Sequence, residues 1–369
     1  MNYRILGKTG LKVSEIGLGT EYLNNQPEKI VIEVLKNAIR EGINYFDIVF
    51  NLEEYLENIR KGINGSRENI YITHHLGSSE ENRKYKKTRK LDESRKIFER
   101  SLQILNTSHF DILNLHFVTA REYDKIIGPK GLLKLALELK EEGKAKYIGI
   151  SSHDPEVVIR ASKHSEIEVI MTQVNIASHA LPERIKMLNR CLKENVGIVA
   201  MKPFAGGKLL QKNKTVNFAK YQSGGINLIK KIFPNVNPVK CLAYVLSQIG
   251  ISTTVPGVKN LRELKESLDY LNASREERDF SSLLKHFKEY RAGECVYCNH
   301  CLPCPLDINI AEVMKLYDLS LYKNHNDLPR DTEKILLKVK DCIECKKCTE
   351  RCPFDVPILS CLREIKKIL

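Results

Sequence analysis

The sequence lacks any segment suited to export or to a membrane. Its first residues do not combine a basic start with an apolar run, so we expect no secretory signal. The longest stretch without a charged residue, CLAYVLSQIGISTTVPGV at 241–258, is interrupted by Gln248, Gly250, Ser252 and Pro256. Such interruptions favour a buried helix, a turn and a strand over a membrane span. We therefore expect a cytoplasmic protein.

The sequence also lacks the features of a secreted domain held together by disulfides. It contains 11 cysteines, an odd number, and eight of them lie in two short runs at 295–304 and 342–352. Without a secretory signal, a reducing cytosol is the better setting, and clustered thiols there are more often metal ligands than disulfides. The remaining thiols, Cys191, Cys241 and Cys361, lie in helix-like sequence and are predicted to be buried and structural.

The spacing within the two cysteine runs favours iron–sulfur chemistry over zinc. Zinc knuckles usually consist of separated C-x2-C pairs, which let four ligands close a tetrahedron. The second run instead fits C-x2-C-x2-C-x3-C-P, a spacing in which the fourth cysteine serves the other cluster. The first run is one residue shorter before its last cysteine. Two [4Fe–4S] clusters are predicted, with zinc as the alternative. The predicted ligands are Cys295, Cys298, Cys301 and Cys352 for one cluster and Cys342, Cys345, Cys348 and Cys304 for the other.

The charge balance favours anionic partners. The formal net charge is +13, and two clusters at about −2 each would leave roughly +9. Residues 83–90, RKYKKTRK, carry much of this charge in one run. Charge runs are usually solvated surface, but a loop that follows a barrel strand overhangs the barrel mouth. We expect an anionic small-molecule substrate or an acidic, ferredoxin-like electron-transfer protein near this loop. Nucleic acid is disfavoured because Tyr85 alone among these residues is aromatic.

Strand-like and helix-like segments alternate through most of the chain. Short apolar runs such as YFDIV, FDILNLH and GIVAMKP are followed by amphipathic helical patterns such as EKIVIEVLKNAIREG. This alternation predicts a parallel (β/α)8 TIM barrel over 1–285, followed by a small, mainly α-helical ferredoxin-like domain over 286–369. A doubly wound sheet is the alternative, but no glycine-rich dinucleotide fingerprint follows the first strand. Because barrel enzymes work at the carboxyl ends of their strands, the residues there become site candidates: Asp47, His74, His116, Ser151, Gln173 and Lys202.

Several of these segments together resemble a known family. YRILGKTGLKVSEIGLGT, GINYFD, FDILNLH, YIGISS and VPGVKN resemble the aldo/keto reductases, and the tail is similar to the branch with a C-terminal iron–sulfur module. The resemblance implies a barrel that reduces carbonyls with NADPH. In that family an Asp, a Tyr, a Lys and a His form the catalytic group: Tyr donates the proton, Lys lowers its pKa, Asp supports Lys, and His orients the carbonyl.

The catalytic positions implied by the resemblance are only half retained. Asp47 and His116 match the family, but Leu52 stands at the Tyr position and cannot donate a proton. Where the family ends its third strand with ATK, the chain reads ITH, which places His74 at the Lys position. His74 is therefore the candidate acid, or else it fills the space left by Lys and is bonded to Asp47. His75 is expected to pack against a helix.

The cofactor positions implied by the resemblance have also changed. Ser151 and Ser152 replace a Ser–Asn pair, Gln173 and Glu266 are retained, and Lys202 could hold an anion. The family's nicotinamide-stacking aromatic, its 2′-phosphate Arg and its adenine-side Asn correspond here to Met201, Glu263 and Ser267. A carboxylate facing a phosphate is repulsive. An NADP(H) site therefore remains possible with several of its contacts missing.

Three functions follow from these observations. The leading prediction is an iron–sulfur oxidoreductase that couples one-electron transfer through two clusters to redox chemistry at the barrel mouth, since clusters carry single electrons and nicotinamide carries hydride. The first alternative is an NADPH-dependent carbonyl reductase with His74 as its acid. The second is an inert barrel that acts as a docking platform for an electron-transfer protein.

Overall fold

The computed structural model contains a barrel followed by a helical C-terminal segment. It describes residues 1–81, 84–179, 183–210, 215–222, 225–232, 236–284, 295, 301–302, 304–320, 331–350, 352 and 356–368. Within these ranges no helix is both long enough and apolar enough to cross a membrane.

Eight parallel strands form the barrel wall, as the alternating pattern predicts. Isolated bridges from Ile16 to Thr254 and from Gly19 to Gly257 join the first strand to the last, so the sheet closes on itself. In their order around the sheet, the strands are β3 (Leu18–Gly19), β4 (Tyr45–Ile48), β5 (Tyr71–Leu76), β8 (Phe110–Leu115), β9 (Ala145–Ser152), β10 (Val169–Gln173), β11 (Gly197–Met201) and β14 (Ile251–Val255).

Antiparallel hairpins account for the other strands. The first, β1 (Tyr3–Ile5) with β2 (Lys12–Ser14), precedes the barrel and covers its amino-terminal end. The second, β6 (Ser78–Glu81) with β7 (Lys84–Lys87), follows β5 and carries part of the basic run. The third, β12 (Thr215–Gln222) with β13 (Gly225–Ile232), follows β11.

Helices lie between the strands and continue into the C-terminal segment. Those of the barrel region are α1 (Glu28–Arg40), α2 (Glu53–Ile63), α3 (Leu91–Leu105), α4 (Tyr123–Ile127), α5 (Leu132–Glu141), α6 (Pro155–Ala161), α7 (Glu183–Lys193), α8 (Pro238–Ser247), α9 (Leu261–Leu268) and α10 (Ser281–Leu284). Those of the C-terminal segment are α11 (Ile310–Ser320), α12 (Thr332–Leu337), α13 (Lys347–Glu350) and α14 (Ile358–Ile368). A hydrogen bond from Arg275 to the carbonyl of Leu302 (3.2 Å) joins this segment to the barrel region.

Two apolar clusters show which way each strand residue faces. One fills the barrel interior with side chains from different strands, including Tyr45, Ile112, Val169, Met171, Val199 and Val255. The larger one lies between the strands and the helices and contains their sequence neighbours, among them Phe46, Leu113, Ile170, Ile198 and Ala200. The strands therefore alternate strictly between an inner and an outer face, as successive residues of a strand must.

This alternation makes the prediction for His74 wrong. Thr73 faces inward, because its hydroxyl donates to the hydroxyl of Tyr45 (2.5 Å) in the barrel interior. His74 consequently faces the helices, and its ring stacks on Phe110 (centroids 4.3 Å apart) and meets the edge of Phe98 in α3. His75, which was expected to pack against a helix, faces into the barrel instead.

The position of His74 is costly for a polar ring. The side chain is 1% exposed, and neither ring nitrogen has a hydrogen-bond partner among the described residues. Burial, together with the neighbouring His75, lowers the pKa of His74 to about 3. A buried polar group without a partner loses its hydration without compensation.

We predict that His74→Leu stabilises the protein. At neutral pH the free energy of unfolding should rise by about 1–2 kcal/mol, because two buried nitrogens without partners are removed. The folded pKa lies below the unfolded value of 6.5, so the unfolded chain gains a proton first and the wild type is destabilised as pH falls below 6.5. The advantage of the variant should then widen by about 1.4 kcal/mol per pH unit. Anaerobic urea unfolding followed by circular dichroism at pH 7.5 and 5.5 measures both effects.

His179→Leu is the matched control for this prediction. His179 is also buried with its pKa lowered to about 3, but its Nδ1 hydrogen-bonds the hydroxyl of Tyr244 at 3.0 Å. Its replacement should destabilise the protein at neutral pH. A loss of stability in His74→Leu as well would show that the ring of His74 contributes more by packing than its nitrogens cost.

Candidate functional site

A cavity of about 660 Å³ opens at the carboxyl ends of the barrel strands. Asp47 of β4 and His75 of β5 line its floor together with His116, which follows β8 directly. Ser151 of β9 and Lys202, which follows β11, line the same cavity. Four consecutive strands, β4, β5, β8 and β9, and then β11 beyond β10 thus contribute polar side chains, as the convergence of parallel strand ends leads one to expect.

Asp47, His75 and His116 form a continuous hydrogen-bonded chain. The Nε2 of His75 lies 2.8 Å from Oδ1 of Asp47, and because a carboxylate only accepts, this nitrogen carries a proton and donates it. The Nδ1 of His75 lies 3.0 Å from Nδ1 of His116, so one of these two nitrogens donates and the other accepts. The chain therefore links a carboxylate to the cavity through two imidazoles, and it holds a transferable proton between them.

The surroundings of His116 disfavour a charged ring. Burial lowers the pKa of His116 well below its usual value, and the charges of His75, Arg89 and Lys87 lower it further. His116 is therefore held neutral, with one ring nitrogen protonated and the other an acceptor.

The residues near the family's Tyr position do not replace it. Leu52 is the N-cap residue of α2 and lines a different cavity, on the far side of Phe50. The hydroxyl of Tyr55, the nearest phenol in sequence, is hydrogen-bonded to Thr20 and buried, and burial raises its pKa. A buried phenol with a raised pKa and a fixed partner is not placed to serve the cavity.

The cavity rim combines a cation with an unusual backbone conformation. Phe117 and Lys202 both have left-handed backbone conformations, with φ of 42° and 56°. Such conformations are costly outside glycine and are often held at functional sites. The hydroxyl of Ser151 accepts the backbone N–H of Phe117 at 2.8 Å, and the carbonyl of Lys202 accepts from the side chain of Asn175. These bonds fix two side chains, one aromatic and one cationic, at the mouth.

His153 adds a third imidazole to this rim. It lines the cavity, meets the ring of Phe117 edge-on, and has its pKa lowered to about 3 by burial and by the charge of Lys202. Lys202 is exposed and in reach of ligands entering the mouth. The pair offers a cation and a neutral imidazole, a combination that suits an anionic ligand.

The cavity extends from the mouth to the start of α9. Glu263 lines this arm, and its carboxylate accepts the backbone N–H of Lys259 at 2.8 Å, which fixes it there. Glu266 lines the same arm, as do Tyr22 and the exposed Arg262. Two residues predicted to contact the nucleotide, Ser152 and Gln173, are not part of the cavity wall. The hydroxyl of Ser152 instead donates to the carbonyl of Val118.

Some residues of this cavity were missed by sequence reasoning. His75 was assigned to the wrong face because the match to ATK was placed one residue early. Asp47 faces the barrel interior, so looking for its interior partner on the neighbouring strand could have identified His75. His153 lies two residues after Ser151 and so shares its face of the strand end, a signal that was available. Arg262 and Lys259 were not singled out, although the resemblance had already placed their neighbours Glu263 and Glu266 at the cofactor site.

Part of the basic run is already neutralised. Arg89 makes two hydrogen bonds of 3.0 Å to the carboxylate of Glu122, and Lys87 makes a third at 3.2 Å. Burial alone would raise the pKa of Glu122, but these cations lower it to about 2. Lys86 and Lys90 remain exposed, and Arg83 lies outside the described residues. The run is therefore a weaker attractor for anions than its composition suggests.

The second cysteine run winds tightly between two helices. Glu344 and Lys346 both have left-handed backbones, with φ of 55° and 63°, so the chain turns twice between Cys342 and Cys348. From α14, Lys366 donates to the carbonyl of Cys342 at 2.9 Å, and Arg363 forms an ion pair with Glu344. These contacts tie the loop to α14.

The cysteines of the described residues fit a cluster in their chemistry. All are in the thiol form, and Cys342 is close enough to Cys348 to add to the rise in the pKa of Cys348 that burial causes. Among the residues that are described, no three His, Cys, Asp or Glu side chains yet form a metal-binding group, and Cys298 lies outside them. Folding and metal binding are coupled in such small modules, so the sulfurs need not converge beforehand. Cys191 and Cys241 are fully buried, as predicted, whereas Cys361 is only half-buried, so the prediction of burial is wrong for that thiol.

Comparison with known families identifies both parts of the chain. Residues 15–287 match the aldo/keto reductase family, and residues 291–357 match the 4Fe-4S dicluster domain. The chain therefore belongs to the aldo/keto reductase family, is an oxidoreductase by class, and carries an iron–sulfur domain after its barrel.

Individual relatives are distant in sequence, and each match covers about three quarters of this chain. "Uncharacterized oxidoreductase YqkF" of Bacillus subtilis is 27% identical over 316 residues, which cover 78% of this chain and 97% of the relative. "Probable aldo-keto reductase 1" of Glycine max is 26% identical and covers 76% and 87% of the two chains. The holo form of aldo-keto reductase AKR11C1 from Bacillus halodurans has a TM-score of 0.62 at 25% identity, covering 75% of this chain and 94% of that one.

We predict that Glu263→Gln improves NADPH binding by about three- to tenfold and leaves NADH binding unchanged. The amide keeps a hydrogen-bond acceptor for Lys259 but removes the charge that repels a 2′-phosphate, which NADH lacks. Fluorescence titration of anaerobic protein with each nucleotide measures this. A wild-type protein that binds NADPH at micromolar concentration and rejects NADH would contradict the assignment of Glu263 to the phosphate side.

We predict close to eight irons and eight acid-labile sulfides per chain after anaerobic purification, since two cubane clusters hold four of each. Cys348→Ser should lower both by about half and destabilise the C-terminal segment. Cys361→Ser changes a cysteine of the same segment outside the two runs and should keep the full iron content. Stoichiometric zinc without sulfide would rule out the cluster assignment.

Proposed function

We propose that the protein is an iron–sulfur oxidoreductase in which two [4Fe–4S] clusters, held by the two cysteine runs, serve redox chemistry at the barrel mouth. When bound, such clusters supply or accept single electrons. The observation that carries the proposal is the chain Asp47–His75–His116, which ends in the wall of an open cavity. Reduction of most organic groups consumes protons along with electrons, and this chain is built to hold and release one. We place the boundary between the two units at 285/286.

The proton step follows from the hydrogen-bond directions. With an added proton, His75 donates from Nε2 to Asp47 and from Nδ1 to His116, so the proton of neutral His116 is on its Nε2. When His116 gives that proton to a substrate in the cavity, it takes another from His75 through the 3.0 Å contact. His75 is left neutral and still bonded to Asp47. Asp47 accepts from Nε2 of His75 throughout and so orients this imidazole.

The substrate side of the cavity favours a small anion. Lys202 supplies a positive charge at the rim, and His153 and Ser151 lie beside it. Apolar and aromatic side chains also line the cavity, with Phe50, Met171 and Val255 among them. Such a site would hold an anionic head group at Lys202 and the reacting part of the substrate near His116, with water largely excluded by the apolar side.

Carbonyl reduction with a nicotinamide is the second candidate, because the cavity is continuous from Asp47 to Glu266 and leaves room for an extended cofactor. In this version the acid is His116, supported by His75, since His74 faces away from the cavity. Glu263 and the missing aromatic contact weigh against it. An inert docking platform is less well supported, because the mouth is open and lined by titratable groups.

We predict that His75→Gln lowers turnover by about 10²–10⁴-fold, the usual cost of losing general acid–base catalysis. Glutamine can still donate to Asp47 but cannot pass a proton to His116. The measurement is anaerobic turnover with dithionite-reduced protein and a panel of small anionic oxidants. It is combined with iron analysis, so that loss of clusters is recognised.

His74→Leu is the control for His75→Gln, because it changes the neighbouring histidine on the outer face. It should keep wild-type turnover. Full activity in His75→Gln with a substrate that wild type reduces would overturn the proposed proton chain.

A further inference from the structure

Exposed apolar side chains concentrate near the cysteines of the C-terminal segment. Among the described residues, the large apolar side chains that are markedly exposed are Tyr3, Ile5, Leu306, Leu337 and Ile343. Three of these lie in the C-terminal segment, and Ile343 is the most exposed at 66%. It lies between Cys342 and Cys345, and Cys345 is itself exposed. Ile343 therefore places an exposed apolar side chain directly beside an exposed cysteine in the sequence.

Basic residues flank the exposed side chain of Ile343. Lys346 and Lys347 follow Cys345 directly and are exposed, and Lys340 is exposed just before the run. From α14, Arg363 and Lys366 reach the same loop through their contacts with Glu344 and with the carbonyl of Cys342. The same stretch carries carboxylates at Asp341, Glu344 and Glu350, and Glu344 is already paired with Arg363. The five cations named here outnumber these three carboxylates.

We propose that this surface, formed by Ile343, Cys345, Lys346 and Lys347, docks an acidic one-electron carrier protein. An apolar centre with a charged rim is the usual composition of a specific but transient interface. The rim charge fits an acidic partner and would steer its approach. The inference rests on the proposed function, since it assumes that a cluster is held by the loop that carries Cys345.

The basic run at 83–90 is the competing surface for the same partner. Two of its cations, Lys87 and Arg89, are bound to Glu122, and it lies beside the substrate cavity. A protein bound there would also cover the mouth through which substrate enters. Docking at the cysteine loop brings the carrier next to an exposed cysteine.

The test uses anaerobic holoprotein and an acidic plant-type [2Fe–2S] ferredoxin as the probe. Binding is measured by calorimetry at several ionic strengths, and the iron content of each variant is measured in parallel. Lys346→Glu combined with Lys347→Glu should weaken binding by about tenfold or more at low salt and flatten its salt dependence. Ile343→Ala should weaken binding by about threefold and leave the salt dependence as in wild type, because only an apolar contact is lost.

The matched control reverses two charges of the other surface, Lys86→Glu with Lys90→Glu, both at exposed lysines. It should bind the ferredoxin within about twofold of wild type. The proposal is overturned if this control loses binding while the loop variant keeps it, or if the wild-type holoprotein does not bind the probe at all. Full iron content with unchanged binding in the loop variant would refute the docking surface alone, whereas absence of iron in the wild type would refute the proposed function.

Discussion

The hydrogen bond between His75 and Asp47 determines what the barrel mouth can do. It joins two side chains of the barrel interior, an imidazole and a carboxylate, at 2.8 Å. A lysine beside the aspartate, as in the family, would be a fixed cation. An imidazole has a second ring nitrogen, and that nitrogen of His75 lies 3.0 Å from Nδ1 of His116. The proposed proton donor is therefore an imidazole, where the family uses a phenol.

This arrangement depends on the two-residue period of β5. Thr73 and His75 face the barrel interior, and His74 between them faces Phe98 and Phe110. The same strand thus presents two histidines with opposite properties. One has a carboxylate partner and access to the cavity, while the other is buried with its pKa lowered to about 3. The two residues are chemically identical, and they differ only because they lie on opposite faces of the strand.

The barrel mouth and the cysteine segment differ in how their charged residues are arranged. At the mouth, Glu122 binds Lys87 and Arg89, so the positive field near His116 is moderated and Lys202 becomes the cation that an entering anion meets. At the second cysteine run the cations remain on the surface around Ile343. A bound cluster would add negative charge there, and the surrounding lysines would offset part of it. The two parts of the chain thus suit different partners, a small anion and an acidic protein.

The sequence by itself determined the barrel, the iron–sulfur domain and the loss of the catalytic tyrosine, because these depend on local periodicity, on cysteine spacing and on residue type. It also identified Asp47, His116, Ser151 and Lys202 as strand-end residues of the mouth. Only the tertiary structure decided that His75 rather than His74 meets Asp47, because a strand residue's face depends on register with its neighbours, and a shift of one residue inverts it. It likewise decided that Ser152 and Gln173 lie outside the cavity, and that Glu122 neutralises part of the basic run. Both facts depend on contacts between segments 20 or more residues apart, for which a local pattern carries no signal.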